Sequence, residues 1–441
     1  LLVIEQSLTF FTSSYYIIDT NGKLIRLPLQ DSAILAGYYA DRLLFTLREA
    51  WKVNGKTHAQ GSLLAINAKT FQTTGKLPNI ETIITPNEHT SIEGIALSRS
   101  GLYITLLQNV KGRILRFTVD TKNSKWDSEP VPLPKNGTVS ISAANVHSDT
   151  IFINYEDYIT PDRLSEFDSK NKKLTVLKSL TSKFNSNELE VNQYMSKSAD
   201  GTKIPYFVIH RKDLKFNGKT PTILYGYGGF EISLKPNYSA TIGKLWLERG
   251  GAYAVANIRG GGEFGPRWHK AALKTKRQRA YDDFISVAED LIKRGITSPK
   301  HLGISGGSNG GLLVGAIFTQ RPDLLNAVVC RVPLLDMLRY TKLLAGASWA
   351  AEYGDPDDLE MRKAIVQYSP YQNVFPDREY PKVFIETSTK DDRVHPGHAR
   401  KMVARMRKQG HEVLYYENTE GGHSAGANLK QHAKRYALEY V

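Results

Sequence analysis

The chain has 441 residues, a formal net charge of +14 at pH 7 and 41% hydrophobic residues. This length exceeds one ordinary hydrophobic core and indicates two or three domains, and the composition is that of a folded globular protein rather than a disordered one. No run approaches the roughly 18 consecutive apolar residues of a transmembrane helix, so the sequence predicts no membrane span.

The single cysteine and the first residues bear on the compartment. Cys330 rules out an internal disulfide and lies in an apolar run, where we expect a buried and unreactive thiol. The chain begins LLVIEQSLTFF, with neither Met nor a basic leader, and we interpret it as a fragment of a longer protein. No targeting signal is visible, and we expect a cytoplasmic or periplasmic location.

Residues 1–185 have the pattern of an all-β domain. Short apolar or alternating runs are separated by Asn, Gly, Asp and Lys, which is typical of strands joined by turns. The last strand of each group closes at Asp19, Asn67, Asp120 or Asp168, with steps of about 50 residues. This spacing favours four blades of a β-propeller, and a β-sandwich with chance spacing is the alternative.

Residues 190–441 alternate between strands and helices. Helical spacing of apolar residues appears over Ala280–Gly295, where Gly295 marks the end of the helix. The predicted strands include KIPYFVIHR, PTILYGYG, HLGISGG, LNAVVCRVP, KVFIETS and EVLYYEN, and the helices include GGLLVGAIFTQRP, GHARKMVARMRKQG and a last helix from about Leu429. This alternation predicts a doubly wound, mostly parallel sheet.

The densest basic cluster spans His269–Arg279, HKAALKTKRQR. Neither an aromatic stacking motif nor a zinc-ligand spacing accompanies it, so we expect a solvated helix face and no nucleic-acid partner.

A serine flanked by glycines lies between a predicted strand and a predicted helix. The sequence GGSNG around Ser308 matches G-x-S-x-G, the turn that exposes a nucleophile in α/β-hydrolases. A phosphate-binding loop would need a Lys after the glycines, and the dinucleotide pattern G-x-G-x-x-G is not met. A purely structural turn is the remaining alternative, and Ser308 is the candidate nucleophile.

A nucleophilic serine needs a base, and the base needs a carboxylate that orients it. Asp391 and Asp392 follow the predicted strand KVFIETS, and His423 follows the strand EVLYYEN. This is the order of the three groups in α/β-hydrolases. The competing histidines are His395, His398 and His411.

Taken together, these features resemble the prolyl oligopeptidases, serine peptidases with a seven-bladed β-propeller and an α/β-hydrolase domain. The motifs that carry the resemblance are YGYGGFEIS, ANIRGGGEFGPRWHKA, TSPKHLGISGGSNGGLL, YGDPDD, QYSPYQNV, DDRVHPGHARKM and EGGHSAG. The resemblance implies that Ser308 is the nucleophile, Asp391 the carboxylate and His423 the general base, with no metal or cofactor. It also implies that an N-terminal segment and about three blades precede this chain, so that the propeller here is incomplete.

The resemblance further implies an oxyanion site made by the Tyr227 hydroxyl and the backbone N–H of Asn309. Prealigned donors of this kind stabilise the charge of a tetrahedral intermediate.

A proline-specific slot is also implied by the resemblance. Trp349 would stack on the proline ring, with Tyr353, Phe230 and Val394 around it, and Arg393 would bind a substrate carbonyl.

We therefore expect a serine oligopeptidase that cleaves short peptides after proline. One alternative keeps the triad but acts on basic or acylated peptides or on esters. Glu352, close to Trp349 in the sequence, is the acidic residue that would suit cleavage after Lys or Arg. A non-enzymatic propeller scaffold is the third hypothesis. The sequence indicates nothing about the oligomeric state.

Overall fold

The computed structural model describes residues 2–19, 22–424 and 426–440. Its contacts divide the chain into two compact units. The first contains Leu1–Thr181 together with two short later segments, Lys235–Tyr238 and Glu263–Arg267. The second unit contains the remaining residues up to the end of the chain.

The first unit is built from four antiparallel sheets and a small hairpin. In chain order, the first sheet is β1 (Val3–Thr9), β2 (Thr12–Ile18) and β3 (Leu24–Arg26); the second is β4 (Ala33–Tyr39), β5 (Arg42–Leu47), β8 (Leu63–Asn67) and β9 (Ile80–Ile84), interrupted by the hairpin β6 (Trp51–Val53) and β7 (Lys56–His58) and by helix α1 (Ala68–Thr74). The third sheet is β10 (Thr90–Ser98), β11 (Gly101–Gln108), β12 (Lys111–Asp120) and β13 (Lys125–Pro130), and the fourth is β14 (Thr138–Ala143), β15 (Thr150–Glu156), β16 (Arg163–Asp168) and β17 (Lys173–Ser179).

Successive sheets of this unit stack face to face. Neighbouring side chains of a strand point to opposite faces, so Leu44 and Phe45 of β5 enter two different cores. Phe45 packs with Tyr15 of the first sheet, whereas Leu44 packs with Ile104 of the third. Tyr103, next to Ile104, enters a further core with the fourth sheet. The second and third sheets therefore each bury both faces against their neighbours, as propeller blades do.

The predicted repeat is real, but its strand assignment was wrong. Asn67, Asp120 and Asp168 end the third strand of their sheets, and a fourth strand follows each of them. Asp19 follows β2 and accepts a hydrogen bond from the Lys23 backbone, whereas Thr20 and Asn21, next in the sequence, lie outside the described residues. The fourth strands β13 and β17 are mostly exposed and carry little apolar signal, whereas β9 was missed although it buries Ile80 and Ile83.

The second unit is organised around an eight-stranded sheet of order β18-β19-β21-β20-β22-β23-β24-β25. The pairs β18–β19 and β19–β21 are antiparallel, and all other neighbours are parallel. The strands are β18 (Leu189–Lys197), β19 (Lys203–Arg211), β20 (Thr222–Tyr225), β21 (Ala252–Ala256), β22 (Leu302–Gly307), β23 (Ala327–Arg331), β24 (Lys382–Ser388) and β25 (Leu414–Asn418).

The helices connect these strands, and their burial follows their sequence. They are α2 (Ala240–Leu245), α3 (Pro266–Lys270), α4 (Gln278–Lys293), α5 (Asn309–Gln320), α6 (Ala350–Tyr353), α7 (Leu359–Tyr368), α8 (Gly397–Lys408) and α9 (Leu429–Glu439). In α5 every residue from Asn309 to Thr319 is buried, as expected for a helix that is apolar on all sides. In α4 and α8 the buried residues lie on one face only.

The carboxyl ends of the parallel strands collect the predicted catalytic residues. Tyr227 follows β20, Ser308 follows β22, Asp391 follows β24 and His423 follows β25. Because these strands are parallel, their carboxyl ends lie along one edge of the sheet, where open α/β sheets place their sites.

Candidate active site

The turn that carries Ser308 is strained. Ser308 has φ 58° and ψ −118°, a backbone conformation that costs a non-glycine residue about 1–3 kcal/mol. A side chain at Gly306 would collide with the backbone of Gly310, so glycine is required there. The Ser308 N–H donates to the carbonyl of Arg331 at 2.9 Å, and its hydroxyl makes no capping bond to α5. The hydroxyl is therefore not used to stabilise the helix.

His423 is held by a single carboxylate. Its Nδ1 lies 3.0 Å from Oδ1 and 2.8 Å from Oδ2 of Asp391. Asp391 is in turn fixed by the backbone N–H groups of Arg393 and Val394, each donating to Oδ1 at 2.9 Å. Since a carboxylate only accepts, the proton of the neutral imidazole is on Nδ1, which leaves Nε2 as an acceptor.

The neighbouring aspartate has a different role. Asp392 is exposed, and its Oδ1 accepts from the backbone N–H of His423 at 3.3 Å. It holds the loop of His423 rather than its ring.

The other histidines that competed in sequence have partners of their own. His395 Nδ1 accepts from the Gly397 N–H at 2.9 Å, and His411 Nε2 lies 2.9 Å from the carbonyl of Phe375. His398 Nδ1 accepts from the backbone of Asp336 at 3.1 Å, and burial lowers the pKa of its imidazole to about 4. These three rings are therefore occupied in holding loops.

Ser308 and His423 are not joined by a hydrogen bond in the part of the chain that the structure describes. Catalytic hydrogen bonds are often long in the absence of substrate and tighten in the complex.

The oxyanion candidates are linked to each other. Asn309 Nδ2 donates to the carbonyl of Tyr227 at 2.5 Å, so the start of α5 and the loop after β20 are held together. Burial raises the pKa of the Tyr227 phenol to about 12, although a hydrogen bond with the side chain of Ser308 opposes this rise. The hydroxyl therefore stays protonated at neutral pH and can donate a hydrogen bond.

Three of the five predicted pocket residues form an aromatic cluster. The ring of Phe230 lies edge-on to Trp349 at 6.4 Å and to Tyr353 at 5.7 Å between centroids. Val394 is buried directly after the Asp391 turn, whereas Arg393 beside it is exposed.

Glu352 has no exposed surface and is held on three sides. Its carboxylate accepts from the Phe230 N–H at 3.0 Å, from Nε2 of His269 at 2.7 Å and from Nη1 of Arg277 at 3.0 Å. The negative charge is therefore compensated within the protein.

The expectation of a solvated helix face over His269–Arg279 was wrong. His269 and Arg277 are buried, and only the short segment 274–276 between them is exposed. The sequence carried no local signal for this, because the partner Glu352 is 75 residues from Arg277.

The C-terminal helix holds the loop of His423. Arg435 of α9 donates to the carbonyl of Ser424 at 2.7 Å. The Gln431 side chain accepts from the Asn418 amide at 3.0 Å and from the Ala427 N–H at 2.6 Å. Ala425, within the motif EGGHSAG, lies outside the described residues.

Across residues 2–19, 22–424 and 426–440, no three His, Cys, Asp or Glu side chains are grouped to hold a metal ion. None of the helices described is both long and apolar enough to cross a membrane.

Comparison with known proteins identifies two family models. Residues 236–441 match the prolyl oligopeptidase family, and residues 49–180 match the N-terminal β-propeller domain of prolyl oligopeptidases. Together with the sheets described above, these matches confirm the predicted fold class, propeller blades followed by an α/β-hydrolase domain.

Individual relatives agree with the family models. An uncharacterized peptidase, y4nA, of Sinorhizobium fredii is 48% identical over 94% of this chain and 57% of its own length. A prolyl endopeptidase of Elizabethkingia miricola is 40% identical over 83% of this chain and 52% of its own. A post-proline cleaving enzyme from Rickettsia typhi superposes with a TM-score of 0.92 at 35% identity, covering 99% of this chain and 64% of that one. The chain spans less than two thirds of the length of each of these relatives.

Proposed function

Because this chain belongs to the prolyl oligopeptidase family, we propose that it is a serine peptidase that hydrolyses short peptides on the C-terminal side of proline. The observation that carries the proposal is the hydrogen-bonded pair of the buried Asp391 and the half-buried His423, at the same sheet edge as the strained turn of Ser308. A scaffold has no physical need for a nucleophile turn, an oriented imidazole and a protonated buried phenol at one edge.

The reaction is an acyl transfer through two tetrahedral intermediates. His423 Nε2 accepts the proton of the Ser308 hydroxyl while the oxygen attacks the carbonyl carbon of the scissile peptide bond. The imidazolium, stabilised by Asp391, gives this proton to the leaving amine as the C–N bond breaks. A water molecule, deprotonated by His423, then attacks the acyl-enzyme, and the proton returns to the Ser308 oxygen.

The negative charge on the former carbonyl oxygen needs donors that are already in place. The Tyr227 hydroxyl and the Asn309 backbone N–H would supply them, and loss of one such donor lowers kcat by about 10²–10³-fold in other serine peptidases. Because the pKa of Tyr227 is raised, its hydroxyl stays protonated at neutral pH and can donate to this oxygen.

The aromatic cluster favours proline over a basic residue in the slot. Phe230, Trp349 and Tyr353 supply apolar faces for a rigid pyrrolidine ring, with Val394 nearby in the motif. Glu352, the acid that would suit a Lys or Arg substrate, is buried against Arg277 and already compensated. Arg393, exposed beside the Asp391 turn, would bind a substrate carbonyl through its guanidinium.

The test is hydrolysis of short blocked fluorogenic peptides with Pro, Ala, Arg or Phe before the scissile bond. We expect cleavage after Pro to have the highest kcat/KM and to be abolished in Ser308→Ala. The matched control is Ser142→Ala, an exposed serine of β14 whose hydroxyl donates to the Phe152 carbonyl. Preference for Arg, or activity that survives in Ser308→Ala, would contradict the proposal.

A further inference from the structure

A buried arginine connects the nucleophile turn with the aromatic cluster. The Arg277 side chain is only 1% exposed. Its Nη2 donates to Oδ1 of Asn309 at 2.6 Å, and its Nη1 donates to Oε1 of Glu352 at 3.0 Å. A buried cation is costly unless it is paired and hydrogen-bonded, and here both terminal nitrogens of the guanidinium donate hydrogen bonds.

Glu352 transmits this arrangement to Phe230. Phe230 has φ 55°, a left-handed conformation that is unfavourable for a bulky residue. Its backbone N–H donates to Oε1 of Glu352, the same oxygen that Arg277 contacts. The Glu352 carboxylate thus holds the strained backbone of Phe230, and with it the position of the ring. Arg277 compensates the charge of this carboxylate and fixes its orientation.

Asn309 transmits the arrangement to two tyrosines. Its Oδ1 accepts from Arg277 and from the Tyr353 hydroxyl, the latter at 2.8 Å. Its Nδ2 donates to the carbonyl of Tyr227. The guanidinium carbon of Arg277 also lies 5.3 Å from the centre of the Tyr353 ring, within the range of a cation–π contact.

From these contacts we infer that Arg277 is a positioning residue that sets the proline preference of the site. Through Glu352 and Asn309 it holds the rings of Phe230 and Tyr353 in place and thus fixes the width of the slot. Through Asn309 it also fixes the position of the slot relative to the Tyr227 loop. The inference deepens the proposed function and rests on it. Arg277 itself is not expected to contact the substrate.

Lysine cannot replace this arginine. A guanidinium presents donors on two separate nitrogens in one plane, whereas the ammonium of Lys is a single point charge on a flexible stem. Arg277→Lys therefore keeps the positive charge near Glu352 but cannot bridge Asn309 and Glu352 in the same geometry.

The first experiment compares Arg277→Lys with the unchanged chain on Pro and Ala peptides. A slot whose width is no longer fixed discriminates less well against a small side chain. We therefore expect the ratio of kcat/KM for Pro over Ala to fall by about tenfold or more. This decrease should come mainly from a lower kcat/KM for the Pro peptide. An unchanged ratio in a folded, active variant would overturn the inference.

The matched control is Arg259→Lys. Arg259 is another buried arginine of the second unit, and its guanidinium pairs with Asp283 and Asp200 rather than with the residues of the slot. We expect this variant to lose thermal stability but to keep the Pro to Ala ratio within about twofold. If Arg277 had only a structural role, Arg277→Lys would likewise lose thermal stability and keep its Pro to Ala ratio.

A second variant covers the case in which Arg277→Lys does not fold. Glu352→Gln keeps the shape of the side chain but removes the charge that orders Arg277, and the Pro to Ala ratio should fall here as well. A folded Glu352→Gln with the original ratio would refute the inference.

Failure of the proposed function gives a separate result. In that case the unchanged chain would show no preference for Pro, whereas failure of the inference alone leaves that preference intact in both variants.

Discussion

Asp391 and Asp392 are adjacent in sequence but differ in burial and in hydrogen bonding. The Asp391 carboxylate has no exposed surface and accepts from two backbone N–H groups besides the His423 ring. Asp392 is exposed and accepts from the backbone N–H of His423 rather than from its ring. Since the orientation and tautomer of the imidazole depend on the group that contacts Nδ1, only Asp391 can control them.

Asp391→Asn is therefore expected to lower kcat/KM on a Pro peptide by about 10³–10⁴-fold. The amide keeps the size of the carboxylate, but it can donate to Nδ1 and so favours the wrong tautomer, and it cannot stabilise the imidazolium. Steady-state kinetics with the thermal midpoint as a folding check would measure this.

Asp392→Asn is the matched comparison. Because an amide oxygen can still accept from the His423 N–H, we expect a loss of less than about tenfold. Equal losses in the two variants would show that the pair acts as a unit and that Asp391 has no special role.

The docking of α9 on the sheet depends on buried charges. Glu386 of β24 has no exposed surface, and in the described residues its oxygens make no hydrogen bond. Arg435 of α9 lies 3.6 Å from Oε1 of Glu386 and 3.2 Å from Glu439, which also pairs with Arg331 of β23 at 3.0 Å. Burial, followed by the charge of Glu439, raises the pKa of Glu386 to about 8.

This raised pKa predicts a loss of stability with rising pH. The folded protein keeps the proton on Glu386 up to about pH 8, whereas the unfolded chain loses it near pH 4.3, as glutamates ordinarily do. The stabilisation is thus complete below about pH 4 and decreases as the pH rises to 8. Glu386→Gln cannot ionise, so it should be more stable than the unchanged chain at pH 9 by about 2–4 kcal/mol, relative to their difference at pH 5.

Urea unfolding at pH 5 and pH 9 would measure that difference. Glu412→Gln, at an exposed position just before β25, serves as the control and should show the same pH dependence as the unchanged chain. If Glu386→Gln followed the same curve, Glu386 would have an ordinary pKa in the folded state.

At the scale of the whole molecule, the chain passes between the two units more than once. Segment Lys235–Tyr238 belongs to the first unit, where the Tyr238 N–H donates to Glu156 at 2.8 Å and Lys235 pairs with Glu93 at 3.2 Å. Segment Glu263–Arg267 belongs there too, and Arg267 donates to the carbonyl of Asn87 at 2.7 Å. In the chain, these segments follow the Tyr227 loop and β21 respectively.

A shortened chain of residues 182–441 should therefore be less stable than the full 441 residues. We expect its thermal midpoint to be lower by at least about 5 °C, because the two segments lose their partners, and its Ser308 to react more slowly with a fluorophosphonate probe. Full-length Ser308→Ala is the control, with an unchanged midpoint and no labelling. A shortened chain that matched the full chain in both measurements would show that the second unit is independent.

The sequence by itself determined the features that depend on local pattern and chain order. Hydrophobic periodicity predicted strands such as β19 and β22 and helices such as α4 and α8, but not β18 or α7. The turn chemistry around Ser308 is readable because glycine is sterically required at Gly306. The positions of Ser308, Asp391 and His423, each directly after a strand of the parallel sheet, predicted that they share one sheet edge. In the first unit the repeat was visible, but the fourth strands were missed, and the weak apolar pattern of the exposed strands accounts for β13 and β17 only.

Only the tertiary structure decided which charged residues are buried. Within one basic segment, Lys274 and Lys276 face solvent, whereas Arg277 is enclosed. Nothing local distinguishes them, because burial of a cation requires a compensating group, and Glu352 is 75 residues away in the chain. The pairing of charges is thus a property of contacts between distant segments, and it became visible only when the fold brought those segments together.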